Sequence, residues 1–206
     1  MLIENDTYLT IDSPSEVFLL KEKNSKFFGY AFPVKNEEDI KLSLESVKAQ
    51  HKMARHICYA YQIGIKQKQW RANDDGEPNN SAGMPIYGQI QSFGLTNVLL
   101  VVVRYFGGIK LGVGGLISAY KTTAQEVLKT LEIVTKTINV QFQIRFEYKT
   151  INSVMRIIKE KNLTIVAQKM NLDCEIIIET REKNSEQIVQ IFDEMNGIYL
   201  KKIEEL

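Results

Sequence analysis

Three carboxylates, Asp74, Asp75 and Glu77, crowd into the most polar stretch of the chain, QWRANDDGEPNNSAGMP, Gln69 to Pro85. Clustered acids of this kind suit divalent-cation binding or proton transfer. The same residue types also build a loop without chemistry. Asp and Asn side chains make Asx-turns, and Ser81 can cap a helix that follows through Gly94. A second group is positive and glycine-rich. Arg104 ends an apolar run, and Gly107, Gly108, Gly112, Gly114 and Gly115, five of the twelve glycines, follow it with Lys110 among them. Glycines admit positive φ and close approach, and a helix N-terminus leaves amides free for an anion. Arg71, Arg104, Lys110 and Lys121 flank the two loops and can supply phosphate contacts. The pattern is neither GxxxxGK[ST] nor GxGxxG, so a nucleotide cradle is not specified. A tight turn that lets the helix pack on its sheet explains the glycines equally well.

His56 and Cys58 stand two apart, where a strand places them on one face. As metal ligands they lack company, because His51 and Cys174 are the only other His and Cys and a structural zinc site wants about four ligands. As a Cys/His nucleophile pair they lack the reach and alignment that proton transfer needs. No metal and no cofactor are expected.

The elements that position these residues follow from periodicity. Val98 to Val103 is an unbroken apolar run of strand formers, which fits a strand buried on both faces. The glycine loop follows, then a helix beginning near Leu116 with an apolar stripe of Leu116, Tyr120, Thr123, Val127 and Leu131. Upstream, Tyr8–Ile11, Val17–Lys21 and Lys26–Val34 read as strands, with Gly29 marking a bulge or a close approach. Asn36 caps a helix carrying Ile40, Leu44 and Val47, with Asp39 at the capping-box position. Alternation then puts Ile57, Tyr59, Tyr61, Ile63 and Ile65 on the buried face of a half-buried strand. Gln69 to Pro85 reads as one long loop, the kind that carries function or moves. Thr135–Asn139 reads as a linker. Beyond it the order is strand, helix, two strands, helix, strand, the ferredoxin-like βαββαβ arrangement, which by itself names no function.

At 206 residues the chain has material for one large domain or two small ones. Residues before 135 hold 15 basic against 14 acidic side chains and those after it 11 against 11, so nucleic acid can be met only by a local patch. No apolar run is long enough to span a membrane, and the first residues lack the regions of a signal peptide. Two cysteines without a pairing framework fit a reducing compartment, and a cytoplasmic location is expected.

Four separated motifs, SKFFGYAFPV, HICYAY, DDGEPNNSAGMPI and NVLLVVVRYFGGIKLGVGGLISAY, in this order, resemble the YigZ/Impact family. The resemblance implies an α+β protein: residues 1–134 with the fold of the second domain of ribosomal protein S-five, then residues 135–206 as a ferredoxin-like domain. The same two folds stand side by side in the ribosomal translocase elongation factor. Eukaryotic relatives look like translation regulators that act through protein contacts, and they carry a further N-terminal RWD domain that this sequence does not show. No catalytic residue is implied. Asn79, Asn80 and Ser81 stand where many relatives read Ser, Gly and Thr; Val103 replaces a frequent Thr; Ser118 and Lys121 replace a frequent Arg and Gly.

These features point to a non-enzymatic binding protein linked to translation regulation, contacting RNA, the ribosome or a translation factor. Its candidate surface comprises His56, Arg71, Asp74, Asp75, Glu77, Arg104, Gly107, Gly108, Lys110, Gly114, Gly115 and Lys121. Two alternatives remain at this stage. One is an enzyme that takes a phosphorylated ligand or nucleotide on the glycine loop and uses Asp74, Asp75 or Glu77 of the acidic loop for metal or proton transfer, and the other is a regulator that binds only proteins. Oligomeric state has no signature in the sequence.

Overall fold

A computed structural model describes residues 6–203. The first residues, on which the expectation of no signal segment rests in part, lie outside the described range. The described residues divide into two compact units, one of Tyr8–Lys136 and one of 137–203 together with Asp6 and Thr7.

The larger unit runs β1 (Thr7–Ile11), β2 (Phe18–Glu22), β3 (Ser25–Pro33), α1 (Glu37–Gln50), β4 (His56–Ile63), β5 (Gln69–Asn73), α2 (Gly83–Ser92), β6 (Val98–Tyr105), α3 (Gly112–Lys129) and β7 (Ile133–Thr137). Five strands form an antiparallel sheet in the order β2-β3-β6-β4-β5, and β1 pairs with β7 apart from it. Strand β6 lies in the centre, with Val98 through Val103 fully buried. Its even-numbered residues Val98, Leu100 and Val102 enter one core with α2 and α3; its odd-numbered Leu99, Val101 and Val103 enter a second core with Ile40 and Val47 of α1. Helices on both faces explain the unbroken apolar run, since neither side of the strand meets water.

The same two-sided covering corrects the reading of β4 as half-buried. Cys58 and Ala60 are as buried as Ile57, because α2 lies over the face that alternation assigned to smaller residues. The long loop is also shorter than expected. Gln69–Asn73 is a strand hydrogen-bonded to β4, polar because it is the sheet edge. The segment read as a linker is strand on either side of Ile138, and α3 starts four residues before Leu116, at Gly112.

Local chemistry sets several boundaries. Asn36 accepts from the Asp39 amide at 2.9 Å, while Asp39 accepts from the Lys35 amide at 2.8 Å, a capping box displaced by one residue at its return bond. Gly29 lies where α3 crosses β3: a β-carbon there would stand 2.5 Å from Val127 Cγ2 and 2.8 Å from Thr123 Cγ2. The β3–β6 register passes Gly29 without a shift, so the residue marks close approach and not a bulge.

The second unit contains β8 (Asn139–Glu147), α4 (Ile151–Glu160), β9 (Thr164–Lys169), β10 (Asp173–Arg181), α5 (Ser185–Asp193) and β11 (Ile198–Ile203). Its sheet order, β11-β8-β10-β9, is antiparallel throughout, which completes the ferredoxin-like pattern. Phe142, Ile144, Ile176 and Ile178 pack under Val154, Ile188 and Phe192. Arg181 grips Asp6 with two bonds of 2.8 and 2.9 Å and holds its carboxyl below the usual carboxylate range. The whole chain is thus α+β. Among the described residues no helix is long and apolar enough to cross a membrane.

Candidate functional site

The acidic loop and the end of the central strand meet inside the larger unit. Register places Arg104 between Phe27 of β3 and His56 of β4. Its Nη1 donates to Glu77 Oε1 at 2.8 Å, and Tyr120 of α3 donates its hydroxyl to the same oxygen at 2.8 Å. The Arg104 and Glu77 side chains are only 7% and 4% exposed, so the pair is desolvated and each charge depends on the other. Arg104 Nε is also buried and has no hydrogen-bond partner among the described residues. The rings of Phe27 and Phe106, each 5.6 Å from the guanidinium carbon, face that cation instead.

Asp74 anchors the rest of the loop. Its Oδ1 accepts from the Ala82 and Gly83 amides at 2.9 and 2.8 Å, and its Oδ2 accepts from the Asn80 amide at 2.8 Å. Asp74 therefore caps α2 from eight residues upstream. Ser81, the expected cap, instead donates to the Pro78 carbonyl at 2.6 Å. The helix dipole gives a reason for the exchange: a carboxylate at an N-terminus satisfies orphan amides and carries the favourable charge. Asp75 Oδ2 accepts from the Ile57 amide at 2.7 Å, and the Asp75 carbonyl bonds His56 Nδ1 at 2.9 Å.

Cys58 lies in the same interior, with Sγ 3.0 Å from the Asp74 carbonyl and 3.3 Å from the Tyr120 hydroxyl. Burial pushes its thiol far above the usual range, with the neighbouring acids adding to the effect. Burial likewise drives the Tyr120 hydroxyl well up. A thiol held protonated in this way is a poor nucleophile. Among the described residues no group of three or more His, Cys, Asp or Glu side chains is arranged to hold a metal ion.

The glycines separate into two kinds. Gly107 is a packing requirement: a β-carbon there would lie 2.0 Å from the Asn24 carbonyl carbon, and its amide donates to Ser25 Oγ at 3.2 Å. Gly108 and Gly112 adopt φ of +87° and +73° with open space beside them. Gly114 has neither constraint, and Gly115 meets only Leu111 side-chain atoms, at 3.1 Å or more. These last two lie in the first turn of α3, whose N-terminus has no side-chain cap and no acidic residue.

The structure thus joins Asp74, Asp75, Glu77, His56 and Arg104 and leaves Gly107, Gly108, Lys110, Gly114, Gly115 and Lys121 on the neighbouring loop and helix. Arg71 is not among them. In β5 it stands opposite Tyr61 of β4, and it lines an open cleft beside α1 with Lys41 and Tyr59, on the opposite face of the sheet. Sequence reasoning missed Tyr120 and Cys58 as partners of Glu77 and Asp74. A tyrosine in a helical apolar stripe looks like core, and its hydroxyl partner 43 positions away leaves no local signal.

This sheet, flanked by helices on both faces and locked at one end by a buried Glu–Arg–Tyr cluster, defines a protein built on an Impact N-terminal domain, whose family model matches residues 23–128. The chain is 32% identical over 181 residues to the IMPACT family member YvyE of Bacillus subtilis (strain 168), covering 87% of this chain and 83% of that one. It is 36% identical over 134 residues to the IMPACT family member YigZ of Escherichia coli (strain K12), covering 64% and 66%. A crystal structure of a hypothetical protein superposes with a TM-score of 0.74 at 28% identity, covering 98% of this chain and all of that one. The chain belongs to the IMPACT family.

Proposed function

We propose that this chain is a non-enzymatic binding protein of translation regulation, which contacts the ribosome, its RNA or a translation factor through the larger unit. One observation carries the reading: the groups that chemistry would need are bonded to one another. Glu77 is held by Arg104 and Tyr120, both oxygens of Asp74 are taken by backbone amides, and Cys58 sits beneath them. What faces outward is the glycine loop with Lys110 and the exposed side of α3 with Lys121. The link to translation comes from the family resemblance, whose eukaryotic relatives look like translation regulators.

Co-sedimentation with purified ribosomes tests it. Association that falls steeply between low and moderate salt is expected, with Lys110→Ala plus Lys121→Ala weakening it at unchanged melting temperature. Absence of association with the ribosomes, and with a translation-factor fraction assayed beside them, at any salt concentration overturns the reading. Arg104→Ala is the wrong probe, because it removes a buried charge partner and not a surface contact.

A further inference from the structure

Residues 106–121 hold an unusual concentration of exposed apolar surface. Phe106 is 54% exposed, Ile109 49%, Val113 52% and Ile117 38%. Val113 and Ile117 are four apart on α3 and share a face of that helix. Scattered exposed apolar residues need no explanation, but here four large ones fall within twelve residues, two of them on one face of α3. Between Tyr105 and Gln125 the sequence has no Asp or Glu, while Lys110 and Lys121 are exposed and have no ion-pair partner among the described residues. The N-terminus of α3 adds uncapped amides near Lys110. Gly108, Gly112 and Gly114 open the backbone to an approaching chain, since nothing lies within 4 Å of a β-carbon built on any of them.

We propose that this face docks an acidic amphipathic segment of a partner protein, with aliphatic anchors on the patch and carboxylates against Lys110, Lys121 and the start of α3. The inference rests on the binding reading above and narrows it to the class of partner. Single-stranded nucleic acid is held by stacking aromatics over a basic groove. Here one aromatic is exposed against three aliphatic side chains, and Arg104 is committed inside. Val113 and Ile117 instead offer an aliphatic strip along α3, against which the apolar side of an amphipathic segment can pack with its acids toward Lys110 and Lys121.

The test uses the isotope-labelled full chain and three probes. They are a synthetic peptide with leucines at helical spacing and glutamates between them, the same peptide with lysines for glutamates, and a single-stranded oligouridylate. The acidic peptide is expected to shift amide resonances of residues 106–121 saturably, and the other two are not. Val113→Asp with Ile117→Asp is expected to weaken it by roughly tenfold or more, as loss of central anchors does. An acid at position 113 favours the helix N-terminus, so the variant keeps its fold and its melting temperature shows that. Shifts centred elsewhere, no shifts, an oligouridylate footprint on this face, or an indifferent double variant each overturn the proposal. Ribosome association without peptide docking on this face removes this inference and leaves the translation reading standing. Peptide docking without association to ribosomes or translation factors does the reverse.

Discussion

Arg104 and Glu77, 27 residues apart in the chain, meet through one 2.8 Å bond in an interior that leaves their side chains 7% and 4% exposed. A pair buried this deeply is worth little over an apolar substitute, but removing one member strands the other. Arg104→Met or Glu77→Leu alone is therefore expected to lower unfolding free energy by about 3–5 kcal/mol. Arg104→Met combined with Glu77→Leu is expected to recover much of that loss. Urea denaturation of the four proteins forms the cycle, and an additive result removes the coupling.

Glycines 107 and 114 respond oppositely to alanine. Gly107→Ala drives a methyl into the Asn24 backbone and costs about 2 kcal/mol or more. Gly114→Ala meets open space within a helical turn and is expected to stabilise by about 0.5–1 kcal/mol. Thermal melts compare the two directly.

Asp74 holds three amides around the start of α2. Asp74→Ala is expected to cost about 2 kcal/mol, the upper end for a lost helix cap. Ser81→Ala, which leaves the cap in place, costs less. The order of the two midpoints in a chemical melt checks which residue caps the helix.

His51 bonds Tyr30 through Nε2 at 2.6 Å and Tyr105 through Nδ1 at 3.1 Å, pinning the end of α1 to the sheet. Burial lowers its pKa below the ordinary 6.5. The folded state therefore favours the neutral ring. Its contribution is complete above the unfolded-state value and is lost as pH falls through the depressed folded value. Stability measured from pH 7.5 to 5 is expected to decline with acid, and His51→Gln, which cannot titrate, flattens that slope. An unchanged slope in the variant counts against the assignment.

How much of this was legible depended on the distance over which each signal acts. The buried run Val98–Val103, the Asn36–Asp39 cap and the βαββαβ order are written in neighbouring residues and were readable. Asp74 as the cap of α2 required knowing that the loop folds back over eight positions. The pairing of β1 with β7 joins segments more than a hundred positions apart, so no local pattern announces the partner, although Ile133, Val134, Thr135 and Thr137 are all strand formers. Proximity in sequence groups Arg71 with Asp74. Its place opposite Tyr61 turns it to the other face, a parity that shows only once β5 is recognised as a strand. Asn80 adopts φ of +61°, so the loop makes a left-handed turn there with the residue that tolerates it best after glycine.

The central strand has one more consequence. Six consecutive aliphatic side chains serve two cores alike, so shifting β6 by one residue exchanges aliphatic for aliphatic and is only weakly opposed by hydrophobicity. Alignment must come from the polar residues that bracket the run. Asn97 at its start accepts from the Gly64 amide and, through its carbonyl, from the Val34 amide; Arg104 at its end fits only where Glu77 waits. The buried ion pair is thus a key that fits one alignment of the strand, and its value lies in uniqueness more than in strength.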